Sequence, residues 1–194
     1  TTAHEAFHAI QYLNGAGSFK WEGTLTARDT IFASFLMEAT AAAYELVIEK
    51  EAQLEGYALP RPTHDGVAAS HGMRAAFDRG YAEALEEEYA NETERRQAAL
   101  SRGGQTAVYY LMRGNSSSWG EYYATNIEEN WRHYVYREEG CSEAYLARRN
   151  VLLSRIGEVS SGINLVPANY LNAGADAEIR ESFTEFFNMS PEAL

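Results

Sequence analysis

The sequence predicts an all-α protein, and three observations carry that expectation. Proline stands only at positions 60, 62, 167 and 191, so long stretches lack the residue that breaks helices. Those stretches place apolar residues at helical spacing among good helix formers. No segment shows a convincing series of strand-like alternation, which leaves little or no β-sheet, with a short β element only around Ser18–Thr24. The 194 residues suit one mostly helical domain: a helix pair within residues 1–56 and a helical bundle over residues 63–194.

Each element has its local reason. Thr2–Leu13 contains no Gly or Pro, and Phe7, Ile10 and Leu13 give it an apolar stripe. Thr1 or Thr2 can cap its start, and Asn14-Gly15 is a stop signal. A loop with Gly15, Gly17, Trp21 and Gly23 leads to an Ala-rich helix from about Arg28 to Glu55. Gly56 to Pro62 breaks the chain. A long third helix is expected from Gly66 or Ser70 towards Arg102, bent at Gly80 and ended by Gly103-Gly104. Its part Glu83–Arg96, acidic and then basic, reads as a solvated face. Gln105–Arg113 follows, then a turn at Gly114–Ser118 and a helix over Trp119–Glu139. After Gly140, Ser142–Glu158 is helical again and Gly162–Ala175 is a loop or short helix. The last helix is Asp176–Asn188, with Ile179, Phe183, Phe186 and Phe187. No internal repeat is apparent.

Composition excludes some functions. The formal net charge is −12, and phosphate binding needs a positive field, so nucleic acid is not expected as a partner. No apolar run approaches transmembrane length, so no membrane span is expected. Cys141 is alone and cannot form an intrachain disulfide, which leans towards the cytoplasm. The chain begins three residues before its main motif, which suggests a trimmed fragment whose upstream signal would be missing. The oligomeric state is unknown from the sequence.

The first helix carries the most definite chemical statement: His4-Glu5-Ala6-Phe7-His8, the zinc-protease pattern H-E-x-x-H. On a helix, His4 and His8 are one turn apart and point the same way, so two imidazoles can grip one Zn²⁺. Glu5 is about 100° round the helix from His4 but about 60° from His8. It can therefore flank a metal without ligating it and act as general base on a water.

A hydrolytic zinc needs a third protein ligand and an open position. The metzincin continuation is absent, because Gln11 and Asn14 stand where its Gly and His would be. On the second helix Ile31, Phe35, Glu38, Ala42 and Glu45 form one stripe, and Glu38 interrupts its apolar part. A carboxylate there is costly unless paired or metal-bound, so spacing makes Glu38 the best candidate. The surrounding alanines would let the two helices approach closely. Glu45 reads as a solvated or supporting carboxylate, and Asp65 as a helix cap. His64 and His71 remain alternatives that would complete a three-His site.

Thr2-Ala3-His4-Glu5-Ala6-Phe7-His8-Ala9-Ile10-Gln11, with Met37-Glu38-Ala39-Thr40-Ala41, resembles the small, mostly helical gluzincin-type zinc metallopeptidases of unknown function. These carry H-E-x-x-H-A-x-Q followed by a Glu-Ala-x-Ala helix. The resemblance covers roughly Thr1–Glu49, a quarter of the chain. It implies a zinc site of His4, His8 and Glu38 with Glu5 as base, and Gln11 matches the Gln of the pattern. Larger gluzincins place an acidic residue four after the ligand Glu to orient the first His; here that position is Ala42, so support must come from elsewhere.

The expected activity is therefore peptide-bond hydrolysis, with a peptide or protein as substrate. A Tyr or His donor helps such a reaction by stabilising the oxyanion. His133 and Tyr134 are candidates in the Tyr-rich middle third, as are Tyr122 and Tyr123, although tyrosines also commonly fill helix interfaces. Two rivals belong to other classes. One is a non-catalytic binding or scaffold protein stabilised by its metal; the other is a helical interaction module with a chance motif.

Overall fold

The second helix is the axis of the molecule, and its sequence explains why. Phe32, Ala33, Phe35, Leu36, Ala39, Ala41, Ala43 and Val47 are all buried, so its middle has no continuous polar face. A helix that is apolar nearly all round must be surrounded by other elements. In the computed structural model, which describes residues 2–16, 25, 27–57, 67–112, 143–159 and 162–171, four other helices touch it. The helices are α1 (Thr2–Leu13), α2 (Ala27–Leu54), α3 (Val67–Leu85), α4 (Glu92–Met112) and α5 (Glu143–Ile156). The protein is thus all-α, with one small β element among the described residues: β1 (Glu158–Val159) and β2 (Ile163–Asn164), followed by a 3₁₀ turn at Ala168–Leu171.

The two N-terminal helices end where the sequence places their stops. Gly15 and Gly56 both have φ near 81°, the left-handed conformation that glycine tolerates. In α1, Gly15 N–H donates to the Tyr12 carbonyl at 3.0 Å and Ala16 N–H to the Gln11 carbonyl at 2.8 Å. In α2, Gly56 N–H donates to Gln53 at 3.1 Å and Tyr57 N–H to Ala52 at 2.8 Å. Both ends are the same hydrogen-bonded cap, closing carbonyls that would otherwise face solvent.

The expected single helix from residue 66 or 70 to 102 is instead two, α3 and α4, with a break at residues 86–91. Asn91 supplies the reason. Its Oδ1 accepts from Glu94 N–H at 2.9 Å, while Glu94 Oε2 accepts from Ala90 N–H at 3.3 Å. This reciprocal cap starts a new helix. Gly103-Gly104 does not end a helix either; both residues lie buried inside α4. They are there for close approach. A Cβ on Gly103 would meet the Phe77 ring at 3.0 Å, and one on Gly104 would meet Leu165 Cδ2 at 2.5 Å. Gly80, expected at a bend, lies within continuous α3, where a Cβ would come within 2.8 Å of the Arg102 carbonyl. The pairings Gly72–Tyr110, Gly80–Thr106 and Phe77–Gly103 run in opposite directions, so α3 and α4 form a tight antiparallel pair.

The expected β element at Ser18–Thr24 lies outside the described residues, as do the helices expected over Trp119–Glu139 and Asp176–Asn188. The β element that is described is a hairpin after α5, with Val159 opposite Ile163 and Glu158 opposite Asn164. Asn164 anchors it. Its Nδ2 donates to the Ser154 carbonyl at 3.1 Å, its Oδ1 accepts from Val166 N–H at 2.9 Å, and its carbonyl accepts from Gln105 Nε2 at 2.9 Å. These bonds fix the end of α5 against α4. At the other end of α5, buried Arg149 Nη1 lies 3.7 Å from buried Asp29 Oδ1, and Tyr145 donates its hydroxyl hydrogen to Asp29 Oδ2. The first turn of α2 is therefore held to α5 by ionic and hydrogen-bonding groups.

Candidate metal centre

Helix α1 lies against α2 with Phe7 fully buried and stacked on Tyr44, ring centroids 4.6 Å apart. That seating sets the rotation of α1. Ile10 packs on the core, but Leu13, expected on the buried stripe, is 82% exposed, and the fully buried partner of Phe7 is Gln11. Rotating the stripe this way brings His4 and His8 over α2, where Glu38 projects between the two helices.

The three side chains converge. His8 Nε2 is 3.1 Å from His4 Nε2, His4 Nε2 is 3.2 Å from Glu38 Oε2, and His8 Nε2 is 3.5 Å from the same oxygen. The imidazole planes stand nearly perpendicular at 84°, so the two nitrogens meet at one point without ring overlap. Zinc bonds to nitrogen and oxygen of about 2.0–2.2 Å in a tetrahedron put neighbouring donors about 3.3 Å apart. The observed separations bracket that edge, so the donor set fits a zinc ion in both chemistry and spacing. Among the described residues, this trio is the group of His, Cys, Asp or Glu able to hold a metal.

Electrostatics ties the three together. Burial pushes the Glu38 carboxyl upward, but hydrogen bonds to His4 and His8 and the imidazole charges overrule it and hold the pKa at about 2. The reciprocal hydrogen bond to Glu38 raises the His8 pKa against the opposing effect of burial, with smaller upward contributions from Gln11 and from the charges of Glu38 and Glu5. The site thus concentrates negative charge from Glu38 where a cation would sit.

Glu5 is exposed on α1 beside the trio and is not one of its donors. Glu45, about two turns beyond Glu38, is also outside the trio, and so is His71, which is exposed on α3. His64, His133, Tyr134, Tyr122 and Tyr123 lie outside the described residues. Ala42 packs at the edge of the core, as its apolar side chain requires.

One site residue escaped the reading from apolar spacing. Gln11 is fully buried, and its amide contacts His8 Nδ1 at 2.8 Å, Thr40 Oγ1 at 2.8 Å, the Met37 carbonyl at 3.1 Å and the Ile156 carbonyl at 3.2 Å. A polar residue on a helix with a buried stripe looks like surface unless its partners are known. The signal available in the sequence was its place three after His8, on the same side of the helix.

Comparison of the chain with protein-family models finds no match, and comparison with curated proteins and with solved structures finds no significant match.

Proposed function

We propose that the chain is a zinc-dependent metallopeptidase of gluzincin type, a hydrolase of peptide bonds. One observation carries the reading: His4, His8 and Glu38, from two different helices, bring three zinc-type donor atoms within 3.5 Å of one another. Three protein donors is the count of a hydrolytic zinc site, whereas structural sites use four. Bound zinc would polarise the scissile carbonyl and lower the pKa of the attacking water. Glu5 is exposed and flanks the trio without joining it. Its carboxylate takes the proton of the attacking water and passes it to the leaving amine nitrogen. Support from the sequence is the H-E-x-x-H order itself, which puts the base one residue after the first ligand.

The experiment is Glu5→Gln, which keeps size and hydrogen bonding and removes the base. The variant is expected to retain stoichiometric zinc by elemental analysis, while hydrolysis of a peptide library falls by about two to four orders of magnitude. A wild type that binds zinc and cleaves nothing across the library points instead to the metal-stabilised scaffold. So does a variant that loses zinc, because Glu5 would then be a ligand. A wild type without stoichiometric zinc rejects both.

A further inference from the structure

We infer that Gln11 is a positioning residue: it fixes His8 as the Nδ1–H tautomer and turns the Nε2 lone pair towards His4 and Glu38, braced by backbone from α2 and the end of α5. The inference rests on the proposed metal site for its purpose, but its geometry is that of the hydrogen bonds of Gln11 itself.

Donors and acceptors fix the sense of the Gln11 amide. One end of the Gln11 amide lies 3.1 Å from the Met37 carbonyl and 3.2 Å from the Ile156 carbonyl. Carbonyl oxygens only accept, so that end must be the NH₂ group. The flipped amide would press an oxygen against two carbonyls and replace a hydrogen bond by a contact between acceptors. Thr40 agrees with this sense. Its hydroxyl donates along α2 to the Leu36 carbonyl at 2.7 Å, so its lone pair is available to accept from the Gln11 amide at 2.8 Å. Two N–H hydrogens are thus shared among three acceptors.

The other end of the amide is then Oε1, 2.8 Å from His8 Nδ1. An amide oxygen only accepts, so Nδ1 must carry the hydrogen. Protonated His8 donates from both nitrogens, Nδ1 to Gln11 and Nε2 to Glu38; the neutral ring has one N–H, which the shorter contact to Gln11 holds on Nδ1, so it is Nε2 that gives up its hydrogen and keeps a lone pair. That nitrogen is the one 3.1 Å from His4 Nε2 and 3.5 Å from Glu38 Oε2. The direction of every hydrogen bond from Leu36 through Thr40 and Gln11 to His8 is fixed by the backbone carbonyls at its far end. Orientation of a histidine ligand through its second nitrogen is the usual device for fixing tautomer and ring angle. Here a neutral amide fills that role for the second histidine, and it reaches it from inside the core.

The test begins with wild-type, metal-free protein, so it does not depend on a variant folding or on zinc being bound. Long-range ¹H–¹⁵N correlation of the His8 ring, recorded above its raised pKa, is expected to show a protonated Nδ1 and a bare Nε2. A protonated Nε2 with bare Nδ1 overturns the inference. Gln11→Met, similar in length but unable to accept from Nδ1, is expected to give a mixture of tautomers. If zinc is the metal, the same variant binds it about 10–100-fold more weakly by competition with a chelator. Unchanged tautomer in a variant whose far-ultraviolet circular dichroism matches wild type overturns the inference, and so does unchanged zinc affinity there. Zinc titration of the wild type is read separately. Protein with the Nδ1–H form that takes up no zinc rejects the metal reading and still supports the assignment of Gln11; protein that takes up zinc with Nδ1 bare does the reverse.

Discussion

Glu38 and Glu45 share a helical stripe, and the contrast between them is the sharpest residue-level prediction. Only Glu38 belongs to the trio. Glu38→Ala is expected to weaken zinc binding by several orders of magnitude in a competition titration, with Glu45→Ala close to wild type; the reverse order would move the ligand to Glu45. Acidity gives a second prediction, in which free and zinc-bound protein respond oppositely. The Glu38 pKa, lowered from 4.5 to about 2, contributes stability that is present above pH 4.5 and lost as pH falls through about 2. The raised His8 pKa contributes stability that is present below 6.5 and lost as pH rises through the folded-state value. Their joint contribution to the metal-free chain is therefore largest between pH 4.5 and 6.5. Zinc requires His8 unprotonated, so its affinity increases as pH rises through the raised His8 pKa. Melting temperatures measured against pH, with chelator and with excess zinc, should diverge as the pH is raised through that value. A constant gap would remove the link between the trio and the metal.

The elements show which signals in the sequence were legible. The apolar spacing and stop residues placed α1 and α2 to within a residue or two, because both helices end on a glycine with a full cap. The break between α3 and α4 was present in the sequence as Asn91-x-x-Glu94, a capping pattern masked by the good helix formers on either side. Gly103-Gly104 was misread because a glycine pair ends a helix in isolation, whereas a helix pressed on Phe77 and Leu165 needs residues with no side chain. Only the partner's identity separates those cases. The hairpin at residues 158–164 has two residues per strand, too short for alternation to register. The convergence of His4, His8 and Glu38 could be read ahead because their spacing is local within each helix, whereas the role proposed for Gln11 depends on a carbonyl 145 residues away. Gly80 gives the element-scale prediction. A Cβ there would sit 2.2 Å from Thr106 Oγ1 and 2.8 Å from the Arg102 carbonyl, and the backbone atom cannot swing aside. Gly80→Ala is expected to destabilise by about 1–3 kcal/mol in urea unfolding, despite the better helix propensity of alanine. A stabilised variant would mean that α3 and α4 pack less closely.

At the scale of the molecule, α2 links the candidate site to the other described helices. It contributes Glu38 to the trio, Thr40 and the Met37 carbonyl to Gln11, and Asp29 to the buried contacts with α5. No helix among the described residues is long and apolar enough to cross a membrane. A ligand that bridges α1 and α2 should therefore stabilise the fold as a unit. Zinc at a hundred times its dissociation constant is expected to add about 2.7 kcal/mol, visible as one raised thermal transition. His4→Ala should lose that gain while melting near the metal-free wild type. Equal gains in both proteins would place the zinc elsewhere.

The reach of Gln11 to Ile156 also sets an order in time. His4, His8 and Glu38 all lie within α1 and α2, in the first 54 residues, so the three donors can meet as soon as those helices pair. The carbonyl that completes the hold on Gln11 follows 145 residues later. From the end of α2 at Leu54 to Ile156, a ribosome adding about 5–20 residues per second needs an interval of roughly 5–20 s. During it the growing chain can present its donors with the Gln11 amide only partly restrained, and the lock closes when the last turn of α5 arrives. On the proposed metal reading, synthesis would proceed from a loose, exchangeable grip to a fixed one, and a metal met early would be free to leave before the hairpin docks.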